Sequence, residues 1–269
     1  MSQTVLVTGA SSGIGAATAQ LLHMRGFTVF GTTRAPNPPQ QNEIHMLTLD
    51  VNSEDSVRNC VAEVISQGGR IDILVNNAGY ALVGAAEETS IDEAKAQFET
   101  NFFGVARMTN ALLPSMRQAR AGKIISIGSL AGLMAIPFNA FYCATKFALE
   151  AYMETLWYEL KPFGISVSLI EPGFVRTGIS HASRVPAKTL AKYDAVRSRA
   201  AAAIRHSVEE GVAPETVAQG VLRAAQSPAP NLRYRVGGAA RWLPRLRNAA
   251  PWKVFASGVR RTFSLDATG

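Results

Sequence analysis

Apolar positions follow two alternating rhythms along this chain. Short runs rich in Val, Ile and Leu alternate with longer stretches in which apolar side chains recur every three or four residues. The first run, Val5-Leu6-Val7, breaks into Thr8-Gly9-Ala10-Ser11-Ser12-Gly13-Ile14-Gly15. A helical stripe of Ile14, Ala17, Thr18, Leu21 and Leu22 follows, and Gly26 supplies a C-cap. The same reading predicts strands over 28–33, 45–51, 71–76, 123–129, 165–171 and 233–236. It predicts helices over 53–67, 91–120, 139–161 and 216–226, with Ser53 as an N-cap and a bend near Pro114.

Seven short buried strands alternating with helices define an α/β fold: a doubly wound parallel sheet with helices on both faces. No boundary interrupts the alternation, so residues 1–236 form one domain and 237–269 extend it as a helical tail. Ligands of such sheets bind beyond the carboxyl ends of the strands. One link is short. About ten residues, including Pro36, Pro38 and Pro39, join strands two and three. A parallel crossover normally takes a dozen or more residues, so its helix is expected to be absent or a single turn.

Composition narrows the class. The chain has 269 residues, 47% hydrophobic and 17% charged, which excludes a disordered protein. No apolar stretch reaches the roughly 18 residues of a membrane span, and the N-terminus does not read as a signal peptide. Cys60 and Cys143 cannot form a disulfide framework, so a cytoplasmic location is expected. His23, His45, His181 and His206 show no metal-ligand spacing, and no metal is expected. Charge is uneven. Residues 1–180 hold 12 Lys/Arg and 15 Asp/Glu, whereas residues 181–269 hold 15 Lys/Arg and 5 Asp/Glu. That basic third is either a solvated face or a site for an anionic partner such as a membrane surface. No recognition motif supports nucleic-acid binding.

The chemistry gathers at strand ends. Gly9, Gly13 and Gly15 lie between a strand and a helix, where glycine lets backbone approach a pyrophosphate and the helix offers free N–H groups. Strand two ends in Thr32-Thr33-Arg34. The carboxylate that would bond a ribose 2′-hydroxyl is missing there, and Arg34 can instead fork onto a 2′-phosphate, with Ser11 and Ser12 as hydroxyl donors. The expected cofactor is therefore NADP(H). Tyr142 and Lys146 stand four apart on one helix face. A nearby ammonium favours phenolate, so Tyr142 is expected to lose some of its high pKa and exchange a proton with a substrate oxygen. Ser129, at the end of strand five, could bond the same oxygen, and Asn101 could hold a water linking Lys146 to solvent. Cys143 reads as a buried filler rather than a reactive thiol.

Taken in order and spacing, Thr8–Gly15, Asp50, Asn76-Asn77-Ala78-Gly79, Asn101, Ser129, Tyr142, Lys146 and Pro172-Gly173 resemble the short-chain dehydrogenase/reductase family. The resemblance spans roughly residues 3–236. It implies a Rossmann-type sheet, with Ile14 in the cofactor loop, Asp50 and Val51 at the adenine, and Asn76, Ala78 and Gly79 along the adenosine half. Asn76 would also tie the central strands. Lys146 would bond the nicotinamide ribose, with Pro172, Gly173, Val175 and Thr177 at the nicotinamide end. Asn101, Ser129, Tyr142 and Lys146 would form the catalytic tetrad. It also implies a homodimer or homotetramer paired through residues 102–118 and 147–160. The short link at 35–43 and the tail depart from the family pattern. Arg34 and the tail look most like the branch of 17β-hydroxysteroid and retinol dehydrogenases.

Residues 178–212 would then form a lid over the substrate. Tyr80, Leu82, Leu130, Leu133, Ile136, Phe138, Phe174 and Ile179 are candidate pocket walls, and their apolar character suggests a small hydrophobic ketone, aldehyde or alcohol. A 3-oxoacyl thioester is the alternative substrate. In the tail, Trp252, Phe255, Ala256, Val259 and Phe263 fall on one helical face beside Lys253, Arg260 and Arg261. Three placements fit that stripe: over the substrate mouth, which is favoured, on a partner subunit, or on an anionic membrane.

Overall fold

The computed structural model describes residues 2–40, 43–177 and 183–266. Seven parallel strands form one sheet. They are β1 (Thr4–Val7), β2 (Thr28–Thr33), β3 (His45–Thr48), β4 (Ile73–Asn76), β5 (Gly122–Ile127), β6 (Ile165–Pro172) and β7 (Arg233–Val236), in spatial order β3-β2-β1-β4-β5-β6-β7. The order reverses between β1 and β4, where Leu6 pairs with Leu74, and this creates the crevice at which an open α/β sheet binds ligand.

Strand alternation sorts the core into two layers. On one face Leu6, Phe30, Leu74 and Ile124 meet α2 (Glu54–Gly68), α4 (Gly104–Ala119) and α5 (Ala140–Leu160). On the other, Val5, Val7, Ile73 and Ile125 meet α1 (Gly13–Met24) and α7 (Pro214–Gln226). Every residue of β1 and β4 is buried, as strands covered on both faces require. Ser53 caps α2 by accepting from the Ser56 amide, as its sequence position predicts.

Four expectations need correction. The long helix over 91–120 forms, but not as a uniform α-helix. It runs as α3 (Ile91–Phe98), a π-helical turn at Glu99–Phe103, then α4, so the change of geometry falls at the turn carrying Asn101 rather than at Pro114. β3 ends at Thr48, three residues early. β5 ends at Ile127, so Ser129 lies beyond the ladder. The stretch 178–212 contains a helix, α6 (Asp194–Glu209). Its signal was weak because Ala200 and Val208 are its buried residues, and four alanines in a row carry little periodicity. The described residues between β2 and β3 contain no helix, as the short link requires.

The tail folds as α8 (Gly238–Ala249) and α9 (Trp252–Thr262), separated at Ala250-Pro251. Phe255 and Phe263 are buried; Phe255 packs with Leu243 and Val259 on Leu130, Met134 and Phe174, and Phe263 lines the apolar space beside them. Trp252, assigned to the same stripe, is 67% exposed instead. It sits at the first turn of α9, on the side turned away from the Leu130–Met134 floor.

Candidate active site

The glycine loop is shaped by steric exclusion. A Cβ on Gly15 would lie 2.1 Å from the Gly9 carbonyl oxygen and 2.5 Å from Asn77 Nδ2. Gly9 itself has φ +68°, a conformation that L side chains rarely adopt. Asn77 locks the loop to β4, its Nδ2 donating to the carbonyls of Thr8 (2.9 Å) and Gly9 (3.0 Å). Thr8 Oγ1 accepts from the amides of Asn77 and Ala78. The first turn of α1 contains no acid, and its N-cap Ser12 makes no side-chain cap bond. A cradle that any side chain would fill, facing a helix N-terminus without an acid, fits a dinucleotide pyrophosphate. Asn77 was not among the predicted site residues, although its place beside Asn76 was the available signal. Asn76 is buried, and its Nδ2 donates to Ser126 Oγ at 3.3 Å and Thr109 Oγ1 at 3.5 Å. Its side chain thus ties β4 to β5 and α4 inside the sheet. Arg34, Ser11 and Ser12 are exposed at the outer end of the crevice. Asp50 is half-buried and accepts from the Asn52 amide, next to buried Val51.

A cavity of about 160 Å³ opens where these strands end. It gathers Ile14, Gly79, Ser129, Tyr142, Lys146, Pro172, Gly173, Val175 and Thr177 from five separate segments. Ser129 is held by its own Oγ accepting from the Ala131 amide at 3.0 Å, and it lines the same cavity as the Tyr142 phenol. Burial pushes the Tyr142 pKa up, outweighing the lowering influence of the nearby Ser129 hydroxyl. The expected lowering by Lys146 is not seen, because the ammonium turns to the Ile127 carbonyl at 2.7 Å and lies 5.9 Å from the Tyr142 ring centre. Burial also pulls Lys146 down to about 8, opposed by the Glu150 carboxylate one turn further along α5.

Asn101 is buried in the π-turn. Its Nδ2 donates to the Tyr80 carbonyl (2.9 Å) and Thr145 Oγ1 (3.3 Å), and its Oδ1 accepts from the Tyr80 amide (3.0 Å). Both polar atoms are therefore committed to protein partners, and they clamp the segment after β4 to α5. Behind Lys146 lies a buried charged cluster that sequence reading missed. Glu150 and Glu171, near neighbours in the fold, are both salt-bridged to Arg233 on β7, and Arg235 completes the set. Burial, then the Glu171 charge, raises Glu150 to about 7.

Tyr80, Leu130, Ile136 and Phe174 line the cavity as predicted, joined by Ile204 and Val208 of α6. Leu82 is buried and bridges to Arg184, Leu133 is half-buried outside the lining, and Phe138 meets Tyr193 edge-on. Ile179 and His181 lie outside the described residues. Cys143 is a buried filler, and burial pushes its thiol up. His206 faces solvent beside Glu210.

Residues 187–197 are fastened by acids in the β4–α3 loop and the first turn of α3 that no sequence pattern marked. The Glu88 side chain is fully buried. It pairs with Arg197 of α6 and accepts from the amides of Leu190 (2.8 Å) and Ala85 (2.9 Å). Burial alone would raise its pKa, but these bonds outweigh it and hold the carboxyl below the usual range. Glu93, the closing residue of a Ser90 capping box on α3, accepts from the Ala187 amide at 2.7 Å.

A second cavity, of about 240 Å³, adjoins the first and shares Leu130, Ile136 and Phe174 with it. Leu243, Phe255, Val259 and Phe263 of the tail roof it.

The chain belongs to the short-chain dehydrogenase family, whose model matches residues 3–187. Members of this family are oxidoreductases acting on alcohol and carbonyl groups with nicotinamide cofactors. The chain is 41% identical over 237 residues to 3-ketodihydrosphingosine reductase of Bacteroides thetaiotaomicron, covering 87% of this chain and 88% of that protein. It is 35% identical to human 17-beta-hydroxysteroid dehydrogenase type 1, covering 90% of this chain and 79% of that protein. A short-chain dehydrogenase from Streptomyces avermitilis, 33% identical, superposes with a TM-score of 0.81 over 99% of this chain and 98% of that one.

Proposed function

We propose that this oxidoreductase uses NADP(H) to interconvert a hydrophobic ketone or aldehyde and its alcohol. One observation carries the reading: Ser129, Tyr142 and Lys146 converge in a single cavity that also takes in Ile14 of the glycine loop and the apolar Leu130, Ile136 and Phe174. A bound nicotinamide supplies or accepts the hydride at the substrate carbon. The Ser129 and Tyr142 hydroxyls hold the substrate oxygen, and Tyr142 gives or takes its proton. Lys146, buried beside Tyr142, holds the positive charge that this exchange requires, and Asn101 keeps Tyr80 and α5 in register. Ile14, Ala78, Gly79, Asp50 and Val51 would line the dinucleotide, with Pro172, Gly173, Val175 and Thr177 at its nicotinamide end. Arg34 at the rim, with no carboxylate at Thr33, favours the phosphorylated cofactor.

The tail cavity supports an apolar substrate that extends beyond the reacting carbon. The exposed Phe103, which closes the π-turn, and Tyr158 on α5 suit a homodimer or homotetramer. Two free, buried cysteines suit the cytoplasm. The test is NADPH and NADH oxidation over a panel of ketones of graded chain length together with 3-oxoacyl thioesters. Faster turnover of longer ketones with NADPH is expected. Turnover confined to thioesters would favour the alternative substrate, and no turnover of any carbonyl would overturn the reading.

A further inference from the structure

The two tail helices carry two apolar faces. The inner one closes the second cavity. The outer one is in solvent, with Trp242 and Trp252 each 67% exposed, Val254 63% and Leu246 53%. On α8, Trp242, Arg245 and Leu246 fall at i, i+3 and i+4, and the Arg245 guanidinium lies 5.4 Å from the centre of the Trp242 ring. Residues 237–269 contain six Lys/Arg and a single acid, Asp266. That acid pairs with Arg260, and Arg247 turns inward to the Leu133 carbonyl. Arg241, Arg245, Lys253 and Arg261 are left exposed among the outward aromatic and aliphatic groups.

We propose that this outer face of α8 and α9 docks on the headgroup layer of an anionic phospholipid bilayer. Tryptophan rings settle at the level of the headgroups, and clustered Lys and Arg gain from the negative surface potential. Charge separates this occupant from the others. A second copy meeting the same face across a two-fold axis would set these cations against their equivalents. A nucleic acid would satisfy the cations but give Leu246 and Val254 no apolar partner. Leu246 and Val254 also line the second cavity, so docking places the cavity's outer rim against the lipid. The docking itself does not depend on which substrate is turned over.

The test uses the full chain and sedimentation with vesicles of phosphatidylcholine alone or mixed equally with phosphatidylglycerol. The mixed vesicles should bind at least about tenfold more tightly, with the affinity falling as salt is added and tryptophan emission shifting to the blue. Replacing Arg241, Arg245 and Lys253 together by Gln should weaken binding by about fivefold per cation. Trp242→Ser with Trp252→Ser should abolish the blue shift. NADPH affinity, measured in parallel, should be unchanged in both variants, since the substituted side chains are exposed and remote from the glycine loop. Equal binding to neutral vesicles, or none to either, would overturn the proposal. So would a dimer that the tryptophan variant dissolves, or duplex DNA binding that it leaves untouched.

Discussion

The halves of this molecule proposed to hold the cofactor and the substrate are built by different means. Up to Thr177 the crevice is made of backbone: glycine-shaped turns, carbonyls held by Asn77, amides held by Thr8, and strand ends fixed by a continuous ladder. Beyond Ser183 the substrate side is made of side chains reaching across the sequence. Glu88 meets Arg197, Glu93 meets the Ala187 amide, and tail residues Phe255 and Phe263 roof Leu130 and Phe174. The first kind of site is local and tolerates few residue types. The second can be rebuilt with many combinations of apolar and charged residues, provided the contacts close.

The largest expected effect tests the shared centre. Tyr142→Phe keeps the ring in its packed position and removes the proton route. Turnover should fall by about a thousandfold, within the range for loss of a general acid or base, while NADPH affinity measured by fluorescence stays within error. Next is the lid. Glu88→Ala removes a buried acceptor from Arg197 and two amides, bonds of a kind worth about 1.5–3 kcal/mol when charged. KM for the ketone should rise by at least about tenfold with NADPH affinity unchanged, a split that would confirm the independence of the two halves. An equal loss of both would break the comparison.

Arg34→Ala is the converse. Loss of charge-assisted bonds to a phosphate should reduce the preference for NADPH over NADH by about tenfold, with KM for the ketone unaffected. An unchanged ratio of kcat/KM values would remove Arg34 from the cofactor site.

A smaller effect concerns pH. Reduction needs Tyr142 and Lys146 protonated, so its kcat/KM should fall as pH rises through about 8, the value to which burial lowers Lys146. Alcohol oxidation should rise through the same region. The Glu150 carboxylate helps Lys146 keep its proton, so Glu150→Gln should move both limbs to lower pH. Smallest of all, Gly258→Leu has space for its Cβ and borders the tail cavity. It should slow bulky ketones several-fold, by the loss of burial for one or two methylenes, and spare small ones.

Much of the molecule was legible from sequence because it depends on local rules. The strand at Thr28–Thr33 and the Ser53 cap were read correctly, as was the Gly9–Gly15 turn, since β-branching, hydroxyl capping and positive φ act within a few residues. The seven-strand parallel sheet also followed from the alternation of periods. What the sequence could not show depends on distance. The π-turn at Glu99–Phe103 is invisible in a helical stripe, yet it sets Asn101 against Tyr80 and Thr145. Glu150, Glu171 and Arg233 are ordinary charged residues in the text, and only packing of α5 on β6 and β7 turns them into a buried cluster. The tail's amphipathic stripe was plain, but which side it would cover was settled by packing: Phe255 met Leu130 and Met134, Phe263 closed over the same cavity, and Trp252 stayed exposed. Sequence by itself determined the elements and the residue types needed for dinucleotide and proton chemistry, because backbone sterics and side-chain pKa values are intrinsic. Tertiary structure alone decided which charges were buried and which apolar face turned outward, because desolvation belongs to the neighbours a residue acquires on folding.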